Sequence, residues 1–193
     1  MQSASHEIVG VLLAAGTATR FGSDKLMHPL ADGTPIVIAA AANLLPACDR
    51  VVAVVRDENC RLADALATAG CEIVRCAEAH KGMGHSLAAG VHATPDAAGW
   101  IVALGDMPFI ATSSHQAVAT RLRTGASLVA TQYQGQRGHP VGFSNRWFAE
   151  LLALTGDQGA QTILAQQSQQ LVLCTVEDPG ALRDIDRPVD LVS

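Results

Sequence analysis

Lysine is scarce in this chain, and the positions of its few lysines are informative. Only two of the thirteen basic residues are lysines, Lys25 and Lys81, and both lie in glycine-containing segments rather than on a solvated helix face. The chain as a whole is mildly acidic, with a formal net charge of −5, so it lacks the basic footprint that duplex nucleic acid requires. We therefore expect no nucleic-acid partner, and we interpret the lysines as candidate ligands for a small anion.

Cysteine pairs with metal-ligand spacing and long apolar runs are also absent. The five cysteines include no C-x-x-C pair, and their odd number argues against a disulfide framework or a zinc site. No apolar run approaches the roughly 20 residues that span a bilayer, and the N-terminus does not resemble a signal peptide. These absences predict reduced, structural cysteines in a cytoplasmic protein with no membrane partner.

Aromatic residues make up only 4% of the chain, although 49% of it is hydrophobic. Ala, Val and Leu must therefore fill the core, as they do in parallel sheets that are covered on both faces. A length of 193 residues is typical of a single domain, predicted here to span residues 1–193.

Apolar runs alternate with helical patterns along the whole chain. The predicted strands are 8–13, 51–55, 71–74, 100–104, 127–131 and 171–176, and the predicted helices are 35–45, 59–69, 86–93, 112–123, 145–154 and 159–167. The helix at 112–123 has Thr112, Ser113 and Ser114 as candidate caps. This alternation predicts a three-layer α/β/α, Rossmann-like fold with a mostly parallel sheet. Ligands of such sheets bind at the carboxyl ends of the strands.

The first predicted strand runs into a loop that suits a phosphate. Its small residues let the backbone approach a ligand, and free N–H groups in such a turn cradle phosphate oxygens. Arg20 offers a planar fork and Lys25 a compact point charge. The dinucleotide fingerprint G-x-G-x-x-G and the P-loop are both absent. The alternative is an ordinary turn with a solvated arginine and lysine.

An aspartate follows the fourth predicted strand, in Gly105-Asp106-Met107-Pro108. One carboxylate, together with triphosphate oxygens and waters, is how Mg²⁺ is usually bound in proteins. Asp106 is therefore a candidate metal ligand, although aspartate is also common in turns.

The stretch Leu-Ala-Ala-Gly-x-x-x-Arg-Phe-Gly-x-x-Lys-Leu, which begins at Leu13, resembles the signature of the nucleotide-diphospho-sugar transferase-like nucleotidyltransferases. Within that group it looks most like the molybdenum cofactor cytidylyltransferases. The resemblance implies the fold of that group and a catalytic role for Arg20, Lys25 and Asp106. It also implies a set of nucleotide-binding residues: Leu13, Ala14, Ala15, Gly16, Arg20, Gly22 and Lys25. One departure is Ala18, where the family often has serine.

Later segments extend the resemblance to Leu191. Gly82, Gly84 and Ser86 match a stretch that lies near the nucleotide base. Gly138-His139-Pro140-Val141 matches a segment on the acceptor side, so His139 is a candidate acceptor-binding residue, with an exposed histidine in a hairpin turn as the alternative. Asp186, in a closing acidic element, is a candidate second metal ligand or else an N-cap before a helix that starts with proline. Asp157, in Gly156-Asp157-Gln158-Gly159-Ala160, is explained equally well as an N-cap.

The reaction that the resemblance implies is transfer of CMP from CTP to molybdopterin, with Mg²⁺ as cofactor and pyrophosphate as product. An attacking phosphate is already an anion, so the lack of a Ser–His–Asp or Cys–His set agrees with this chemistry. The GTP-dependent relatives typically carry glycine where this chain has Ala15. The alternatives are guanylyl transfer from GTP, another phosphate acceptor, and a non-catalytic carrier of the molybdenum cofactor. A molybdoenzyme of the xanthine dehydrogenase type is a candidate partner.

Overall fold

The computed structural model describes residues 6–16, 25–157 and 159–191. Within these residues seven strands form one sheet in the order β3-β2-β1-β4-β6-β5-β7. The strands are β1 (Ile8–Leu13), β2 (Arg50–Val55), β3 (Glu72–Arg75), β4 (Gly99–Leu104), β5 (Leu128–Tyr133), β6 (Gln136–Ser144) and β7 (Leu171–Thr175). β1 is parallel to β2 and β4, β2 to β3, and β5 to β7, whereas β6 runs antiparallel to β4 and β5. The mostly parallel sheet is therefore confirmed.

β6 was not predicted from the sequence. Its interior contains Pro140, which lacks an N–H group for the ladder. The structure accommodates this proline at an irregularity, because the register between β5 and β6 shifts between Ala130 and Gln132. The hairpin turn lies at Gln134 and Gly135, which both have positive φ angles, as tight two-residue hairpins require. The alternative interpretation of His139 as an exposed residue in a hairpin turn is thus wrong, because His139 lies within β6 and is half-buried.

Helices cover both faces of the sheet. They are α1 (Ile36–Leu44), α2 (Cys60–Thr68), α3 (Met83–His92), α4 (Thr112–Arg123), α5 (Phe148–Leu152) and α6 (Gln161–Gln166). The predicted helix 86–93 begins earlier, at Met83, and the predicted helix 145–154 is a 3₁₀ turn at Asn145–Trp147 followed by α5. No helix in the described part of the chain is long and apolar enough to cross a membrane.

Side chains of the interior strand β1 point alternately into two separate cores, which explains the three layers. Along β1, Ile8 and Leu12 join the core that contains residues of α1, α2 and α4. Val9 and Val11 join the core that contains residues of α3, α5 and α6. Because both faces of the strand are buried, its sequence is a continuous apolar run rather than an alternating one.

The cap of α4 comes from a distant residue. The residue before the helix is Ala111, and no side chain of its own first turn caps it, so the predicted capping by Thr112, Ser113 or Ser114 is wrong. The carboxylate of Asp178 accepts the backbone N–H of Ala111 at 2.8 Å instead. A local sequence pattern carries no signal for such a cap.

A buried hydrogen-bond relay ties α3 to β4. The indole Nε1 of Trp100 donates to the hydroxyl of Thr94 at 2.8 Å, and that hydroxyl donates to the carbonyl of Gly90 at 3.0 Å. Thr94 and Trp100 are both fully buried. Every polar atom of this relay is therefore satisfied without water.

We predict that Thr94→Val lowers the free energy of unfolding by about 1–3 kcal/mol, because it leaves the buried Trp100 N–H without an acceptor while preserving shape. Urea denaturation followed by circular dichroism measures the change. Thr120→Val is the matched control, since the Thr120 hydroxyl bonds its own helix carbonyl on the exposed side of α4, and it should cost less than about 0.5 kcal/mol. Equal losses of unfolding free energy in the two variants would contradict a stabilising role for the buried relay.

Candidate active site

A cavity of about 390 Å³ opens at the carboxyl ends of β1, β2 and β4. This is the edge of the sheet where parallel α/β folds bind ligands, and the volume suits a small molecule. Its walls include the following residues that the sequence singled out: Leu13, Ala15, Gly16, Lys25, Gly82, Ser86, Asp106 and Asp186. Ala14, Gly84 and His139 are not among its wall residues, and Arg20 and Gly22 lie outside the described residues.

Lys25 lies between the two aspartates that were predicted as metal ligands. Its Nζ donates to Asp106 Oδ2 at 2.9 Å and to Asp186 Oδ1 at 3.1 Å. The Lys25 side chain is only 9% exposed, compared with 26% for Asp106 and 50% for Asp186. A single cationic atom thus contacts both carboxylates at the floor of the cavity.

The sheet itself brings these residues together. β1 and β4 are in register, with Leu13 opposite Leu104, and the N–H of Gly105 donates to the carbonyl of Leu13 at 2.9 Å. The segment that carries Asp186 docks on the same loop, because the N–H of Ile185 donates to the Asp106 carbonyl at 2.9 Å. Asp106 and Asp186 are therefore placed by backbone hydrogen bonds close to each of them, and the Lys25 ammonium joins the two carboxylates.

Burial and the charges of this cluster together shift the pKa of Lys25 and that of Asp184. Burial opposes the charge of the Lys25 ammonium, but the hydrogen bonds and negative charges of Asp106 and Asp186 outweigh it, so the Lys25 pKa is raised above 10.5. The pKa of the Asp184 carboxyl is also raised, first by burial and then by the negative charges of Asp186 and Asp106. Lys25 is therefore protonated at neutral pH, within a cluster in which negative charge exceeds positive charge.

The donor set is compatible with a divalent cation. Two carboxylates converge on one cationic position, and hard cations such as Mg²⁺ prefer oxygen ligands. The described residues contain no group of three or more His, Cys, Asp or Glu side chains that could hold a metal ion. Mg²⁺ is commonly held by one or two carboxylates together with substrate phosphates and waters.

The glycines at the start of α3 are explained by a close approach of the protein's own backbone. A Cβ on Gly82, which has a φ of +124°, would lie 2.3 Å from the carbonyl carbon of Gly156. A Cβ on Gly84 would lie 2.9 Å from the backbone of Thr155. The loop at residues 155–157 therefore packs directly on the start of α3. Contact of Gly82 and Ser86 with a nucleotide stays a prediction.

That packing places Asp157 in the cavity wall. The residue directly before α6 is Ala160, so the interpretation of Asp157 as an N-cap is wrong. Its sequence neighbours gave no sign of this location, because the contact joins segments that are far apart in the chain.

Arg56 also lies in the wall of the cavity, and the sequence analysis missed it. It follows directly after β2, and its Nε donates to the carbonyl of Ala15 at 2.9 Å. The one available signal was its position, since it is a basic residue at the carboxyl end of a buried strand. The bond fixes the backbone of the loop that follows β1.

His139 lies near Asp106, and its imidazole is largely buried rather than exposed at the surface. Its Nδ1 is buried with no partner among the described residues, and the bond to Pro140 is cis. Burial lowers the pKa of His139 in spite of the negative charge of Asp106. The imidazole is thus neutral at neutral pH. Its role in binding an acceptor stays a prediction.

We predict that Lys25 reacts with an amine-acylating ester much more slowly than Lys81, the other lysine of the chain. Its raised pKa leaves less free amine, by about tenfold for each pKa unit, and its burial limits access. Lys81 is half-exposed and pairs with Glu78, three residues before it. Mass spectrometry after short labelling gives both rates in one sample.

The same measurement tests the ion pair itself. Asp186→Asn should increase the Lys25 rate and leave the Lys81 rate unchanged, whereas the exposed Asp64→Asn on α2 should change neither. A wild-type Lys25 rate equal to that of Lys81 would contradict the enclosed ion pair.

Comparison with known proteins identifies the family of the chain. Residues 10–171 match the model of the MobA-like NTP transferase domain. The purine catabolism protein PucB of Bacillus subtilis is 30% identical over 196 residues, which cover 95% of this chain and 94% of PucB.

Solved structures share the fold over nearly the full chain. Rv0371c from Mycobacterium tuberculosis superposes with a TM-score of 0.83 at 26% identity, covering 97% of this chain and 96% of that one. The same protein in complex with manganese gives a TM-score of 0.81 at 24% identity, covering 96% of each chain. Molybdopterin-guanine dinucleotide biosynthesis protein A from Archaeoglobus fulgidus gives a TM-score of 0.66 at 20% identity, covering 95% and 94%. The fold expected from the Leu13–Leu26 motif is confirmed, and the chain belongs to the MobA-like NTP transferase family.

Proposed function

We propose that this protein transfers CMP from CTP to molybdopterin and releases pyrophosphate. The observation that carries the proposal is the Lys25 ammonium, held between Asp106 and Asp186 in a cavity whose walls also include Ala15 and Gly16 from the loop after β1. Family membership supports nucleotidyl transfer, and the identity of both substrates is our inference.

The chemistry requires positioning and charge neutralisation rather than a protein nucleophile. A phosphate oxygen of the acceptor forms a bond to the α-phosphorus of CTP, while the bond from that phosphorus to the pyrophosphate oxygen breaks and its electron pair leaves with pyrophosphate. The attacking oxygen is already an anion at neutral pH, so no strong general base is needed. The main barrier is the approach of anions in line, which fixed cations and backbone N–H groups lower.

Each proposed residue has a separate task in this reaction. Lys25 donates N–H groups to the phosphate oxygens of the nucleotide, and the backbone of Ala15 and Gly16 lies close to the phosphates. Arg20 and Gly22 are proposed to continue this contact. Asp106 and Asp186 would hold Mg²⁺, which when bound neutralises phosphate charge and orients the reacting groups. Rv0371c, which shares the fold, has been solved in complex with manganese, and this supports a divalent cation as cofactor.

Ala15 supports CTP over GTP as the nucleotide. It is 3% exposed and lies in the cavity wall, with its carbonyl fixed by Arg56. Its methyl group occupies space that glycine would leave open to the larger purine. Guanylyl transfer remains the alternative, since a molybdopterin-guanine dinucleotide protein shares the fold.

The acceptor is inferred from motif and family. A molybdopterin-guanine dinucleotide biosynthesis protein shares the fold of this chain, and His139 is proposed to bind the acceptor. The similarity to a purine catabolism protein supports a purine-oxidising molybdoenzyme of the xanthine dehydrogenase type as the partner that receives the product. Another phosphate acceptor is the main alternative for this substrate.

We predict that Asp106→Asn lowers turnover by about 10²–10³-fold or more, because the site loses a carboxylate that holds Mg²⁺, and with the metal it loses the positive charge that opposes the developing phosphate charge. Pyrophosphate release from CTP in the presence of molybdopterin and Mg²⁺ measures the loss. Asp64→Asn removes an exposed carboxylate on α2 and should retain full turnover. Wild-type-like turnover by Asp106→Asn would rule out this metal-binding role.

We predict that Ala15→Gly improves GTP binding relative to CTP by about tenfold, the size of effect that one small side chain has in a pocket. Isothermal titration of the wild-type protein and the variant with each nucleotide, with and without Mg²⁺, measures the ratio. Ala67→Gly, on the exposed side of α2, is the matched control and should leave the ratio unchanged.

The wild-type titration also decides between the functions. Selective, Mg²⁺-dependent binding of CTP supports the proposal. Equal use of CTP and GTP would overturn the role of Ala15. Binding of neither nucleotide, with molybdopterin present, would favour the non-catalytic carrier.

A further inference from the structure

Asp178 is a buried carboxylate that joins two segments of the active-site edge. It is 7% exposed. Its Oδ2 accepts the N–H of Ala111 at 2.8 Å and the hydroxyl of Ser114 at 2.6 Å, and its Oδ1 accepts the N–H of Gly180 at 2.9 Å. The Asp178 side chain thus accepts hydrogen bonds at the start of α4 and also fixes the turn at Gly180, which follows Asp178 in the sequence.

The two joined segments carry the two aspartates that flank Lys25. Asp106 begins the segment that leads to Ala111, and Asp186 ends the segment that begins at Asp178. The segments remain in contact between these points. A Cβ on Gly180 would lie 2.0 Å from the carbonyl oxygen of Phe109, and the Arg183 guanidinium lies over the Phe109 ring at 4.0 Å.

We propose that Asp178 is a positioning residue, whose carboxylate sets the separation of Asp106 and Asp186 so that one cation contacts both. The hydrogen bonds of Asp178 fix one end of the Asp178–Asp186 segment, and the bond from the Ile185 N–H to the Asp106 carbonyl fixes the other end. With the first end released, the segment keeps the bond of Ile185 and the contact of Arg183 with Phe109, but it loses the anchor at its start, and we expect the distance of Asp186 from Lys25 to increase.

The geometry requires a carboxylate and not only a polar group. Three donors converge on two acceptor oxygens, one of them shared by a backbone N–H and a hydroxyl. Asparagine has a single acceptor oxygen, and its NH₂ group would face a donor. Asp178→Asn therefore breaks one side of the connection while keeping the size of the side chain.

The first test reads the position of Asp186 through the reactivity of Lys25, and it needs no enzymatic activity. Acylation of Lys25 is measured by mass spectrometry in wild type, Asp178→Asn and Gly180→Ala, with Lys81 as the internal standard. All proteins are labelled at a temperature at which circular dichroism shows them to be folded. We expect both variants to raise the Lys25 rate several-fold, toward the rate of Asp186→Asn. Gly180→Ala disturbs the same contact by a different route, so it answers the question if Asp178→Asn does not fold.

Two controls separate positioning from stability. Asp49→Asn alters another carboxylate that binds a backbone N–H, that of Ile8, and an arginine, Arg123, at the other end of the sheet. Ser114→Ala removes one bond at the start of α4 and keeps the bond to Gly180. Both should leave the Lys25 rate within about twofold of wild type. An unchanged Lys25 rate in the folded Asp178→Asn or Gly180→Ala variant would overturn the proposal.

The consequence for catalysis rests on the proposed function and is measured separately. Loss of a residue that orients metal ligands typically costs 10–100-fold in metal affinity or activity. We therefore expect Asp178→Asn to weaken Mn²⁺ binding in the presence of CTP by about 10–100-fold and to lower kcat, with a smaller change in KM for CTP. Inactive wild-type protein with altered Lys25 reactivity in the variant would refute the function and leave the positioning role. Active wild-type protein with unaltered Lys25 reactivity in the variant would refute the positioning role alone.

Discussion

The contact of one ammonium group with two carboxylates is the interaction on which this site depends. Lys25 is 81 residues away from Asp106 and 161 residues away from Asp186 along the chain, yet its Nζ donates to both. A largely buried ion pair is favourable only where the geometry is held and the remaining hydrogen bonds are satisfied. The pairing of β1 with β4 and the docking of Ile185 on the Asp106 carbonyl supply that geometry. The order of the strands is therefore a requirement of the site.

The rest of the cavity is built mainly by backbone packing. The loop at residues 155–157 contacts Gly82 and Gly84 so closely that neither position has room for a side chain. Arg56 holds the carbonyl of Ala15, which fixes the loop after β1 without adding a side chain above it. Such a cavity combines a cluster of charges with walls of small residues. This combination is compatible with a nucleotide, which has charged phosphates and a flat base, and it is one reason to prefer a nucleotide over a purely apolar ligand.

Strands that are buried on both faces leave a clear signal in the sequence, and the site residues follow them directly. The apolar runs predicted the strands β1, β2 and β4. Asp106 was found because it comes soon after such a run, and Lys25 because it is a rare lysine in the glycine-containing loop that follows the first run. The signal fails where structure depends on contacts between distant segments. β6 was missed because Pro140 argues against a strand unless the register shift opposite it is known. The Asp178 cap lies 67 residues from Ala111, and Arg56 looks like any arginine after a strand. Arg20 and Gly22 lie outside the described residues, so their roles rest on the sequence motif.

The surplus of negative charge in the cluster argues for function over structure. Burial and the negative charges of Asp186 and Asp106 raise the pKa of Asp184, and Lys25 is the cation between Asp106 and Asp186. Because the pKa of Asp184 is raised, the folded state binds a proton at this carboxyl more tightly than the unfolded state does. The free energy of unfolding therefore falls as the pH rises from the ordinary pKa of an aspartate through the raised pKa of Asp184. Apolar residues of similar volume are often at least as stabilising as a buried ion pair, so this arrangement is not one that stability alone favours. Charged groups held in a cavity against their own repulsion are typical of sites that bind a further ion. A divalent cation with a triphosphate would supply both the positive charge that the carboxylates lack and the anionic partner for the Lys25 ammonium, and for this reason we favour a nucleotidyltransferase over a carrier that has no need of either.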